Sequence, residues 1–201
     1  MYYQYNNNSR PNKKSNVIYH GSPHLFKLPS CQENTRCDDN GKIIWKGKAV
    51  FASHDRRIAL NYTFNKDIDI EKYTCGVGLT KEITSDEPLI ISVFGDNEED
   101  TLNKLYGTGN DADSIGYLYL MNADFFEHEE GLGSMEKISR TPEKFGFLLG
   151  VVKINRRKEL ELYIEKGLIK INFHHYSKLH NHQMPPPNTT TSTANLKPNY
   201  N

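Results

Sequence analysis

Short apolar runs separated by turn residues dominate the middle of the chain. They fall at Val17 to His20, Lys48 to Ser53, Leu89 to Phe94, Gly116 to Met121, Met135 to Ser139 and Phe147 to Ile154. Runs of this length, rich in Val, Ile, Phe and Tyr and bounded by Gly, Pro, Asn and Ser, predict β-strands. Three other stretches carry helical spacing. Ser53 or Asp55 can cap a segment that places Ile58, Ala59 and Tyr62 on one face. Glu98 to Tyr106 begins acidic and stops at Gly107, and Arg156 to Lys166 groups Leu160, Tyr163 and Ile164 ahead of Gly167. Many strands with few helices predict an α+β domain and not alternating βαβ units. No glycine-rich loop opens a helix, which argues against a Rossmann dinucleotide fold.

Both ends lack these periods. Residues 1–15, with Asn6-Asn7-Asn8 and Lys13-Lys14, are expected to be a flexible lead. Residues 181–201 hold Pro185-Pro186-Pro187 and a Thr, Ser and Asn run with too little apolar surface to order itself, so a disordered tail is expected. One domain over 16–180 remains, and no internal repeat divides it.

Charge narrows the function classes only a little. The 201 residues hold 25 basic and 25 acidic side chains, so no overall field favours nucleic acid or an anionic membrane. No apolar stretch reaches signal-peptide or membrane-spanning length, and a soluble, cytoplasmic monomer is expected, in a host cytoplasm if the chain is viral or an effector. Cys31, Cys37 and Cys75 are odd in number and wrongly spaced for paired zinc ligands, which reads as free thiols. His174, His175, His180 and His182 have no carboxylate or thiol to complete a site, so no metal is expected. The run Asp96 to Asp100 reads as a helix N-terminus, because it lacks the spacing of a calcium loop.

Two motifs carry candidate chemistry. Tyr19-His20-Gly21-Ser22-Pro23 places a histidine where a strand ends in a turn, its ring held and its nitrogens open to a ligand. Gly21, without a β-carbon, lets backbone N–H and C=O approach a flat amide closely. Further on, Gly47-Lys48-Ala49-Val50-Phe51-Ala52-Ser53 leads directly into Asp55-Arg56-Arg57-Ile58-Ala59-Leu60-Asn61-Tyr62, a small-residue strand followed by a helix bearing an aromatic ring.

This order resembles the poly(ADP-ribose) polymerase and diphtheria toxin branch of the ADP-ribosyltransferases, and more closely the small phage and bacterial proteins of that type. There a His-Gly strand end precedes a Gly-Lys-Gly-Ile-Tyr-Phe-Ala-like strand and a helix ending in Ala-x-Tyr or Ala-x-x-Tyr. The resemblance implies a split antiparallel sheet with flanking helices, and NAD as co-substrate. It assigns His20 to the ribose hydroxyls, the backbone of Gly21 to the nicotinamide carboxamide, and Tyr62 to stacking on the nicotinamide ring. Ser22, Phe51, Ala52 and Ser53 would line the same pocket. A catalytic glutamate is implied on a later strand, and Glu136, in Gly133-Ser134-Met135-Glu136-Lys137-Ile138-Ser139, is the choice over Glu143, Glu159 and Glu161. Arg56 and Arg57 stand where the pyrophosphate of NAD would pass, open to phosphate or to solvent. One departure stands out: the family's helix serine before the alanine is Ile58 here, so either Ser53 or the backbone alone holds the carboxamide, or that contact is weaker.

The expected activity is transfer of single ADP-ribose units to an acceptor that is a protein, a nucleic acid or a small molecule. Two alternatives remain: an inactive module that binds NAD, ADP-ribose or a protein partner on the same fold, and RNA 2′-phosphotransferase chemistry. The last relies on arginines around its His-Gly motif, and none adjoins His20 in the sequence. Leu25 to Lys46 and Phe64 to Glu87 are the stretches expected to form acceptor-binding loops.

Overall fold

The structure is a computed structural model that describes residues 16–37, 41–68, 72–77 and 87–175. The expected lead and tail lie outside these residues, as do His180 and His182. The order of elements is β1 (Val17–Ser22), β2 (Gln32–Cys37), β3 (Ile43–Ala52), α1 (Arg56–Asn61), β4 (Thr74–Val77), β5 (Leu89–Gly95), α2 (Glu98–Tyr106), β6 (Ile115–Asn122), β7 (Lys137–Ser139), β8 (Leu148–Asn155), α3 (Arg156–Glu165) and β9 (Ile169–His175). This is an α+β architecture. The described residues contain no helix long and apolar enough to cross a membrane.

Among the described residues three three-stranded sheets form, ordered β1-β6-β8, β2-β3-β7 and β4-β5-β9. The first two are antiparallel throughout, but β9 runs parallel to β5. The expectation of antiparallel pairing fails there because α3 intervenes between β8 and β9 and returns the chain to run alongside β5. Tyr19 and Ser53 exchange backbone hydrogen bonds of 2.8 and 2.9 Å, which fasten β1 to the residue after β3 and join the first two sheets at one point.

Local chemistry explains the helices. Asp55 caps α1 by accepting from Arg57 N–H at 2.8 Å, and Ser53 Oγ accepts from Asp55 N–H at 3.1 Å. Asn97 caps α2 by accepting from Asp100 N–H, three acidic residues fill the first turn, and Gly107 ends the helix at φ +85°. That confirms the helix-start reading of the acidic run. Asn155 caps α3 by accepting from Lys158 N–H at 3.1 Å.

The main core joins Ile58, Ala59 and Leu60 of α1 to Leu89, Ile91 and Val93 of β5, with Leu102, Leu105 and Tyr106 of α2 and Leu160 of α3. A second cluster packs Ile18, Tyr119 and Met121 against Val50, Ala52 and Phe147. Between them α1 rests on β1 so tightly that a Cβ at Gly21 would lie 1.7 Å from the Ala59 carbonyl oxygen. Glycine is therefore required at that crossing. The close crossing holds the Tyr62 end of α1 near the end of β1.

Several strands differ from the expected ones. β2 crosses the expected loop Leu25 to Lys46, β3 begins at Ile43 and not at Lys48, and β4 and β9 were not anticipated. The expected strand Met135 to Ser139 shortens to Lys137–Ser139. Glu136 N–H instead donates to Gly133 O at 2.8 Å, so a turn holds Met135 and Glu136 short of the ladder.

Candidate functional site

Tyr62 and Glu136 meet. Tyr62 follows α1 at its C-terminal end and donates its hydroxyl to Glu136 Oε1 over 3.3 Å. Glu136 is 3% exposed. Its Oε2 accepts a long 3.4 Å bond from Gly133 N–H, and its carbonyl oxygen lies 3.1 Å from His128 Nδ1, which donates to it. These contacts fix the carboxylate at the mouth of β7, so Glu136 sits in a turn just ahead of the strand on which it is expected. Burial, with the Glu136 charge adding, pushes the Tyr62 hydroxyl far above the ordinary tyrosine range, so it remains a neutral donor.

The other three glutamates do not reach this point. Glu143 is exposed. Glu159 of α3 pairs with Arg56 of α1 at 3.1 Å, and Glu161 with Arg157 along α3 at 2.7 Å. Arg57 is 4% exposed and grips Asp55 through Nε and Nη2, while its Nη1 donates to the carbonyls of Glu87 and Leu168. Its guanidinium is a brace between α1 and the third sheet, which corrects the idea that it waits for a pyrophosphate.

His20 sits half-buried on β1, its Nδ1 at 2.7 Å from the Phe51 carbonyl oxygen. A carbonyl only accepts, so Nδ1 carries the proton and Nε2 presents a lone pair. No other hydrogen bond to the ring occurs among the described residues. Burial lowers its pKa to about 4, the Phe51 hydrogen bond opposing and the Lys66 charge reinforcing the shift. The ring meets Tyr119 edge-on at 5.9 Å between centroids.

Gly21 adds backbone groups to the same place. Because Tyr19 points its N–H and C=O at Ser53, alternation along an antiparallel strand points those of Gly21 to the same side, away from β6. The bridge to Ser53 is isolated. Ser22 is buried, its Oγ accepting from His24 N–H at 3.1 Å, which makes it a turn residue. Ser53 is also buried, its Oγ engaged at the start of α1. Ala52 pairs with Lys137 and Phe51 with Ile138, so β3 carries β7 and the turn of Glu136 beside it. Ile58 is 1% exposed and belongs to the core.

Sequence reasoning missed Arg36. On β2, its Nη2 lies 2.6 Å from Glu136 Oε1 and its guanidinium carbon 5.0 Å above the Phe51 ring. Asn34 Oδ1 accepts a further bond from Nη1 at 3.2 Å. Nothing in the polar run Gln32 to Cys37 marks this arginine; only the pairing of β2 with β3 brings it there. Contacts therefore run without a break from His20 through Phe51 and Arg36 to Glu136 and Tyr62. Two surface hollows, one beside Asp96 and Lys104 and one beside His24, Asp113 and Arg156, do not include these residues.

Among the described residues no cluster of His, Cys, Asp or Glu could hold a metal, and Cys31, Cys37 and Cys75 form no disulfide. Burial pushes the Cys75 thiol up to about 12, which makes it inert at neutral pH. No protein-family model matches the chain, and no curated protein or solved structure matches it significantly.

Proposed function

We propose that this chain binds NAD and acts as an ADP-ribosyltransferase, breaking the bond between nicotinamide and ribose and passing ADP-ribose to an acceptor. The observation that carries the reading is the hydrogen bond from Tyr62 to Glu136, which joins two residues from distant parts of the sequence to which the resemblance gives complementary roles.

The residues present suit the nicotinamide half of NAD. Gly21 offers a backbone donor and acceptor side by side on the edge of β1 away from β6, which is what a carboxamide requires. Neutral His20 offers Nε2 to a ribose hydroxyl while the Phe51 carbonyl holds the ring in that tautomer. Tyr62 supplies a flat face for offset stacking, and its hydroxyl keeps the ring oriented through Glu136. NAD supplies an electrophilic anomeric carbon and a neutral leaving group. As the glycosidic bond lengthens, positive charge spreads over C1′ and the ring oxygen, and the fixed Glu136 carboxylate stabilises it.

A second reading is a module that binds NAD or ADP-ribose without turnover. The burial of Ile58 favours it, because a core isoleucine gives the carboxamide no hydroxyl partner. NAD stabilisation against heat without nicotinamide release would identify such a module.

The leading reading is tested by incubating the protein with NAD labelled in its adenylate phosphate together with a cell lysate. Wild type is expected to label an acceptor, and His20→Ala and Glu136→Ala to leave it unlabelled. Equal labelling by all three proteins would reject the assignment.

A further inference from the structure

The guanidinium of Arg36 is held from three sides. Glu136 Oε1 accepts from Nη2 at 2.6 Å, Asn34 Oδ1 accepts from Nη1 at 3.2 Å, and the Phe51 ring lies beneath at 5.0 Å. Its side chain is 11% exposed and that of Glu136 4%. The register between β2 and β3 shifts between Arg36 and Cys37, after five regular pairs. A bulge of this kind turns a side chain out of the line the ladder would give it. Here it sits at the arginine that reaches the buried carboxylate.

Resting on the transferase reading above, we propose that Arg36 is a positioning residue for the reaction, holding the Glu136 carboxyl group in place and aimed at the anomeric carbon. Among the described residues Arg36 is the cation in contact with this buried side chain, and a buried ionic group is held by such a partner. The groups facing the carboxylate are the Tyr62 hydroxyl from α1, the Gly133 N–H from its own turn and Arg36 from β2. Of these only Arg36 carries charge. Tyr62 and Arg36 share Oε1, so Oε2, with its single long bond to Gly133, is the oxygen left to face a developing cation. Arg36 acts through Glu136 and not by touching the dinucleotide, so its removal is expected to affect the chemical step and spare NAD binding.

The experiment compares wild type, Arg36→Ala and Arg36→Lys, measuring NAD affinity by calorimetry and nicotinamide release under saturating NAD. Arg36→Ala is expected to bind NAD within about threefold of wild type while its kcat falls roughly 100-fold. Arg36→Lys, which restores charge without the fork, is expected to fall between the two. Added guanidinium at low millimolar concentration is expected to rescue Arg36→Ala in part. If Arg36→Ala fails to fold, Arg36→Lys together with Arg36→Gln provides the same comparison. An active wild type beside an Arg36→Ala that turns over equally fast, or loses only NAD affinity, overturns the positioning role alone. A wild type that neither binds NAD nor releases nicotinamide overturns the transferase reading, and this role with it.

Discussion

The hydroxyl of Tyr62 donates to Oε1 of Glu136 across 74 positions of sequence. One residue ends a helix and the other sits in a turn ahead of a strand, and each is fixed by its own element before they touch. Tyr62 gets its place from the crossing of α1 over Gly21, and Glu136 from the turn closed on Gly133.

If the Tyr62 ring stacks on nicotinamide, its removal weakens binding by the value of that stack. Tyr62→Ala is expected to lower NAD affinity roughly 2- to 10-fold, measured by calorimetry, with Tyr62→Phe close to wild type in affinity. An unchanged affinity in Tyr62→Ala would place the ring outside the ligand site.

Gly21→Ala would put a methyl group 1.7 Å from the Ala59 carbonyl oxygen, a backbone atom that cannot swing away. A cost of about 1–3 kcal/mol is expected, which lowers the thermal midpoint by roughly 3–10 °C. A midpoint equal to wild type would mean that α1 does not cross β1 so closely.

His20 titrates at about 4 in the folded chain, against 6.5 for an ordinary histidine. Its folded pKa is depressed, so the unfolded chain binds the proton more readily. The contribution to stability is complete above about pH 6.5 and is lost as pH falls towards 4. Urea unfolding between pH 7 and pH 4 is expected to show this loss, and His20→Gln to show less of it. The ring C–H resonance of His20 should not shift between pH 8 and pH 6. A midpoint near 6.5 would contradict the neutral imidazole.

Arg57 distinguishes structure from ligand binding. Replacing it by alanine strands Asp55 and removes the donors from two carbonyls, which is expected to cost about 3–5 kcal/mol of stability. Denaturant unfolding measures it. A stable Arg57→Ala with weakened NAD binding would instead restore the pyrophosphate role.

The sequence exposed these elements unevenly, for physical reasons. Glu98 to Tyr106 could be delimited because acid-rich starts and glycine stops act locally, and the observed helix has those bounds. β2 could not, because Gln32-Glu33-Asn34-Thr35-Arg36-Cys37 has no apolar face and forms a strand only through its partner β3. β9 is different: Ile169, Ile171 and Phe173 alternate with polar residues and could have been recognised. At the site, the His-Gly and Ala-x-x-Tyr motifs pointed to residues that the fold connects through Phe51, Arg36 and Glu136. Arg36 itself was hidden, since an ion pair 100 residues apart leaves no trace in local spacing.

In the proposed reaction Glu136 is the carboxylate that acts on NAD. The most direct measurement is nicotinamide release by purified wild type and Glu136→Gln at saturating NAD, with binding of NAD to both measured alongside. Wild type is expected to release nicotinamide, and Glu136→Gln to bind NAD while releasing it roughly 100- to 1,000-fold more slowly. Equal release by the two proteins would contradict the account.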